Sequence, residues 1–339
     1  MKIQKLSTEN YAGAYGLYAQ SLFGNISLPH QYQDSLWGCL LYEKDCLVGA
    51  WVGLLRGNGK ISHVFAKSVY FDAYPVFIEG YEDYEYMLSS TRHLAKEDGI
   101  IQLNLTHWAR NNGLNPLAVD SFCASFIIPL NEHSVDDLWM KMDSKQRNIV
   151  RKAMKNGVEF VACKGNEAVS YLDDFQKLRM ITQKRAMDVN ANASMLLKSN
   201  EFFKNLFMQA NSVLFVGKYN NQIASVALML QSGKSVYYYS GGSDRDVNRA
   251  TGCSAFVIWK AIEYYKNRAD VVNFDMGGVP VSPSKEHPAY GVYDFKKSFG
   301  GEYKEFPNGH IVINKWKYFI LKAVLQNRNI LRFLSKSGN

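Results

Sequence analysis

Cysteine and histidine are scarce in this chain, and neither is arranged for chemistry. The five cysteines, Cys39, Cys46, Cys123, Cys163 and Cys253, are odd in number and scattered, with no two at a zinc-ligand or redox spacing. That excludes a disulfide scaffold and predicts reduced, mostly buried thiols. The seven histidines include no His-x-x-x-His or His-x-x-Glu pairing, so the pattern offers no metal centre, and no cysteine sits in a reactive-looking motif. Nor does any stretch reach the roughly 18 apolar residues of a membrane span. The polar opening MKIQKLSTEN runs into no apolar leader, and the expectation is a cytoplasmic chain.

What is present is an ordinary globular balance, 47% hydrophobic and 21% charged in 339 residues. At roughly 150 residues per domain, this predicts about two domains, each able to bury its own core. The 21 tyrosines and 19 phenylalanines suit strands and binding clefts. A formal charge of +8 fits a polyanionic partner such as tRNA, a nucleotide-linked precursor, a diphosphate lipid or an acidic membrane face; simple solubility accounts for it equally well.

One order of elements occurs twice. Leu40 to Lys60 reads as two strands around a turn at Lys44-Asp45, stopping at Gly57-Asn58-Gly59, and Leu214 to Lys234 does the same around Asn220-Asn221, stopping at Ser232-Gly233. A helical stretch and a short buried strand follow each hairpin: from Ser89, then IIQLNL, and from Ala255, then VVNFDM. Gly49 to Ile101 and Ala224 to Val272 are both separations of about 50 residues, the trace a duplicated α/β unit leaves after its side chains diverge. Between the copies, DSKQRNIVRKAMKNG predicts a helix with a capping-box-like Asp143 and Gln146 at its start and Gly157 just past its end. Its apolar residues gather on one side, while Arg147, Arg151 and Lys155 recur every four on another. Such a stripe is either a solvated face or a surface for a polyanion.

Three segments resemble the FemAB family of peptidoglycan-bridge aminoacyltransferases, within the GNAT-like acyltransferase superfamily. They are the basic helix from Lys145 to Gly157; the run Tyr239-Ser-Gly-Gly, Trp259-Lys-Ala-Ile and Asn273-Phe-Asp-Met-Gly-Gly278; and Gly291-Val-Tyr-Asp-Phe-Lys-Lys-Ser-Phe-Gly-Gly301. The resemblance covers Lys141 to Gly301 and implies an α/β fold of two tandem GNAT-like domains, each a mixed sheet flanked by helices. No long charged helical segment interrupts the second copy, so a coiled-coil arm is not expected. The domains are expected at 1–135, completed by a C-terminal helix over 314–339, and at 136–313.

The implied activity is transfer of an acyl or aminoacyl group to an amine without a resident cofactor. Attack on an ester needs a neutral amine, a place for oxyanion charge and a route for the proton, and no covalent intermediate. By resemblance Lys296 is the cation at the reacting centre, with Phe295 and Phe299 packing its segment. Asp275, at the end of a buried strand, either orients the acceptor amine and takes its proton or caps the Gly277-Gly278 turn. Tyr239, Tyr290 and Tyr293 are either ligand contacts or structural. Arg249-Ala-Thr-Gly252-Cys-Ser254 departs from the acyl-CoA signature at its last position, where Ser254 stands for a residue of minimal bulk. A loop of this kind holds pyrophosphate on backbone N–H groups at a helix start.

The leading reading is therefore aminoacyl-tRNA as donor and a cell-wall precursor amine as acceptor. The alternatives are an acyl-CoA-dependent N-acyltransferase acting on an envelope amino sugar, polysaccharide or lipid amine, and a non-catalytic module binding anionic envelope precursors. The segment Asn314 to Asn339 carries Lys315, Lys317, Lys322, Arg328, Arg332 and Lys336 and no acid, interleaved with Trp316, Phe319 and Ile320. It reads as a basic amphipathic helix that either lies on an anionic leaflet or packs on the first domain with a solvated basic face.

Overall fold

The computed structural model describes residues 1–10, 12–14, 17, 36–56, 67–71, 75–105, 119–189, 199–232 and 234–326. The Gly57-Asn58-Gly59 stop, Gly233, and the tail beyond 326 lie outside the described residues.

In chain order the elements are β1 (Lys2–Lys5), β2 (Leu36–Glu43), β3 (Cys46–Arg56), β4 (Ser68–Phe71), β5 (Val76–Phe77), α1 (Tyr84–Glu97), β6 (Gln102–Leu105), β7 (Val119–Pro129), α2 (Val135–Lys141), α3 (Ser144–Lys155), β8 (Glu159–Cys163), α4 (Gly165–Ser170), α5 (Leu172–Val189) and α6 (Asn200–Phe207). There follow β9 (Ser212–Tyr219), β10 (Gln222–Ser232), β11 (Ser235–Ser243), α7 (Arg245–Thr251), α8 (Cys253–Lys266), β12 (Asn273–Asp275), α9 (Tyr290–Lys297), β13 (Glu302–Val312) and α10 (Lys315–Gln326).

The chain forms two compact units, 1–122 with 307–339, and 123–306. In the first, β1, β2, β3 and β4 pair antiparallel in turn, β4 pairs parallel with β6, and β6 pairs antiparallel with the end of β13. In the second, β8, β9, β10 and β11 pair antiparallel in turn, β11 pairs parallel with β12, and β12 pairs antiparallel with β7. Strand order and sense match position for position, as the repeated spacing predicts. The hairpin turns match as well: Lys44 and Asp45 have φ of 46° and 66°, and Asn220 and Asn221 have 49° and 61°. Two successive left-handed residues define the turn whose twist suits adjacent strands.

The expected limits of 1–135 and 136–313 differ from these units because the last strand of each copy crosses over. After β6 the chain supplies β7 to the second unit, and after β12 it supplies the end of β13 to the first. Turn and period signals are local to a strand, whereas its partner is chosen by long-range pairing, so no spacing pattern marks the exchange.

The second unit's core is built around α8, which is apolar on nearly every side and buries Phe256, Trp259, Ile262 and Tyr265 among others. A helix without a polar face is stable only inside. Tyr265 and Phe215 pack edge to face at 5.9 Å, and Phe274 of β12 closes on Tyr265 at 6.2 Å. Each such side chain contributes about 1.5–3 kcal/mol by leaving water. Around α3 the expected boundary is right but its chemistry is not: Asp143 is the N-cap residue, yet its carboxylate caps nothing, and Gln146 is buried with Nε2 lacking a partner. The reciprocal capping box is one helix earlier, between Ser134 and Asp137. As expected, Cys39, Cys163 and Cys253 are buried and unpaired, although Cys46 is exposed.

Candidate active site

In the second unit the parallel pair β11 and β12 stays in register only from Ser235↔Asn273 to Tyr237↔Asp275. Beyond that point the two chains separate. β11 runs on to Ser243 through a bulge in which Tyr239 is the added residue, between Tyr238 opposite Met229 and Ser240 opposite Leu228. The other chain turns sharply at Gly277, whose φ is +78°, and leaves to bridge Ala124 at Val279. Only glycine suits this position, because a Cβ there would stand 2.6 Å from the Tyr238 carbonyl oxygen and 3.3 Å from Lys296 Nζ. The carboxyl ends of separating parallel strands form the crevice that α/β folds use for ligands.

Lys296 and Asp275 both end at this turn. Lys296, in the last turn of α9, is buried at 9% exposure; its Nζ donates to the Gly278 carbonyl at 3.1 Å and stands 5.4 Å from the centre of the Tyr238 ring. Burial pushes the Tyr238 phenol up to about 12, so it stays neutral and able to donate. Asp275 is 2% exposed, and its Oδ1 accepts from the Gly277 N–H at 2.8 Å and from the Ser125 hydroxyl. Ser125 Oγ also lies 2.9 Å from the Gly277 carbonyl oxygen. The carboxylate thus ties β7 to the glycine turn that carries the Lys296 contact.

The remaining sequence candidates lie elsewhere in the unit. Tyr293 packs edge to face on Phe126 at 5.2 Å and near Tyr290 at 6.1 Å, and Phe295 packs on Phe299 at 5.3 Å, which fixes α9. Arg249, Gly252 and Ser254 form the corner between α7 and α8, whose N–H groups are already engaged. Ser254 N donates to Asn248 Oδ1 at 2.8 Å and Cys253 N to Thr251 Oγ1 at 3.2 Å. A Cβ on Gly252 (φ +81°) would meet the Ile149 carbonyl oxygen of α3 at 2.7 Å. Gly252 is thus packed against α3, and the Cys253 and Ser254 N–H groups have acceptors within the corner. Gly252→Ala is accordingly expected to lose about 2–4 kcal/mol of unfolding free energy in urea titrations, from left-handed strain plus a backbone clash.

Along α3, Arg147 is drawn into the fold, its Nη1 donating to the Met140 carbonyl at 2.8 Å and to that of Met142, at the end of α2. Arg151 and Lys155 remain exposed, with Arg151 over the Trp139 ring at 5.3 Å, and Lys152 reaches the Arg249 carbonyl at 3.3 Å. The basic helix and the α7–α8 corner therefore share one positively charged surface. No group of three or more potential metal ligands occurs among the described residues.

One residue escaped the sequence reading. Arg179 of α5 is only 6% exposed; its Nε donates to Ser240 Oγ at 2.8 Å, beside the bulge, and its Nη1 to Gln176 Oε1 at 2.7 Å. Its guanidinium lies over the rings of Phe203 at 4.3 Å and Phe175 at 5.4 Å, and burial lowers its pKa, opposed by the nearby Tyr239 phenol. Among the described residues no carboxylate pairs with it. In sequence it is one basic residue in a charged helix, LDDFQKLRMITQKR, with nothing to separate it from solvated neighbours.

A mixed sheet with one parallel pair, made twice in one chain, is the arrangement of tandem GNAT-like folds. Residues 209–324 match the model of the FemAB family. Among solved structures the chain is similar to FemX, at 14% identity and a TM-score of 0.65, covering 94% of this chain and 99% of that one. It is also similar to a C-terminal domain assigned to a lysylphosphatidylglycerol synthetase of Agrobacterium fabrum (12%, 0.61, 94% and 96%) and to a tandem GNAT protein of the clavulanic acid biosynthesis pathway (10%, 0.51, 92% and 99%). No curated protein matches the chain significantly. The FemAB resemblance and the tandem GNAT-like fold both hold, and together they support an acyltransferase.

Proposed function

We propose that the chain transfers an aminoacyl group from aminoacyl-tRNA to the amine of a cell-wall precursor, in the cytoplasm. The observation that carries this reading is the buried ammonium of Lys296, held at the parting of β11 and β12 by the Gly278 carbonyl. The neutral acceptor amine attacks the ester carbonyl, an N–C bond forms, the bond to the ribose oxygen breaks, and the amine proton passes to that oxygen. Lys296 holds the negative charge developing on the carbonyl oxygen. No nucleophilic side chain is required. One observation favours tRNA over acyl-CoA: Arg151, Lys152 and Lys155 lie exposed on one helix. The domain assigned to a lysylphosphatidylglycerol synthetase keeps a lipid-linked amine or hydroxyl within the range of acceptors.

Incubation with charged total tRNA, and separately with acetyl-CoA, tests the donor. Deacylation of tRNA coupled to gain of mass by an amine acceptor, with binding that weakens steeply with salt and a slope flattened by Arg151→Ala and Lys155→Ala, is the expected result. Salt-insensitive acetyl-CoA binding without tRNA association overturns it. Within the same reading, Arg179 holds an oxyanion of the acceptor, a carboxylate or a phosphate, because a buried guanidinium without an acid is preorganised for one. Arg179→Met is expected to raise the acceptor KM by roughly 10- to 100-fold while the donor KM stays unchanged, as steady-state titration of each substrate would read.

A further inference from the structure

The helix α10 turns its apolar side outward. Trp316 is 82% exposed, Phe319 77% and Ile320 43%, while Tyr318 is half-buried, stacked on buried His310 at 5.0 Å. Positions three and four apart share a helix face, so Trp316, Phe319 and Ile320 form one stripe. Lys315 and Lys322 flank it on one side and Lys317 on the other. This reverses the bland expectation of a helix packed by its aromatics with a solvated basic face. An isolated exposed apolar residue needs no explanation, but a contiguous tryptophan–phenylalanine–isoleucine stripe does.

We infer that this face of α10 docks on an anionic lipid bilayer. Charge complementarity decides the occupant: no acidic residue occurs from Asn314 to Asn339, and three lysines border the stripe. Tryptophan and phenylalanine seat at the headgroup boundary, and each lysine adds attraction to an anionic leaflet. No helix among the described residues is long and apolar enough to cross a membrane, so the contact is peripheral. The inference does not depend on the transfer reaction proposed above.

The test is flotation of the full chain with phosphatidylcholine vesicles and with vesicles of phosphatidylcholine mixed with phosphatidylglycerol. Binding to the anionic vesicles, weakened by salt, is expected, and Trp316→Ser with Phe319→Ser should reduce partitioning by about tenfold or more. Both side chains are exposed, so the double variant should melt with the parent and transfer to a soluble acceptor at the parent rate. A double variant that floats like the parent, or a parent that ignores anionic vesicles, overturns the inference. So does a parent that is dimeric in velocity sedimentation and made monomeric by the substitutions, since a second copy would then be the occupant.

Discussion

Lys296→Met is expected to lower the transfer rate at saturating donor and acceptor by roughly 10²-fold or more, the usual effect of removing one charge-stabilising group at a reacting centre. Its thermal midpoint should hardly move. Removing the side-chain charge forfeits one hydrogen bond to the Gly278 carbonyl, a net loss of about 1 kcal/mol, and relieves the desolvation of a buried ammonium, which acts in the opposite direction. Methionine also fills nearly the same volume beside Gly277. Activity lost with stability retained would place Lys296 in the reaction. A variant that unfolds, or one that turns over like the parent, would return it to a structural role. Lys296→Arg is expected to fail as well, since a planar guanidinium does not reproduce the compact ammonium held on the Gly278 carbonyl.

The duplication was legible because hairpin turns and helix-strand spacing are local properties, and both survive in the chain: Lys44-Asp45 and Asn220-Asn221 still force the same turn. The exchange of closing strands was not, because β7 and β13 choose partners far away in sequence and carry no mark of which sheet they join. The candidate site was half legible. Lys296 and Asp275 sit in glycine-bearing motifs, and glycine records a backbone constraint that sequence preserves. Arg179 was invisible, since burial of a single cation depends on how Phe175 and Phe203 enclose it and not on its neighbours in the chain. The α7–α8 corner is a different case: the motif is partly present, and its Ser254 and Cys253 N–H groups are bonded to Asn248 and Thr251.

Asp275 admits two roles that substitution separates, and the expected outcome favours the cap. Its Oδ1 accepts from Gly277 N and from Ser125; Asp275→Ala would strand the buried Gly277 N–H, while the Ser125 hydroxyl could still donate to the Gly277 carbonyl. At about 1–3 kcal/mol for one stranded group, a loss of that size should appear in urea unfolding. Activity should fall with it, since the turn presents the carbonyl that holds Lys296. Asp275→Asn keeps an oxygen in the same place, able to accept from both donors, but cannot take a proton from an amine. If the carboxylate only organises the turn, this variant should stay within about tenfold of the parent rate and within roughly 1 kcal/mol of its stability. A general base would behave differently, its removal costing about 10²- to 10⁴-fold in rate with the fold intact. A near-parental Asn variant beside a destabilised Ala variant is the expected pair. The geometry argues for it, because a carboxylate already joined to Ser125 and the Gly277 amide inside the sheet is committed to shaping the site before any amine arrives.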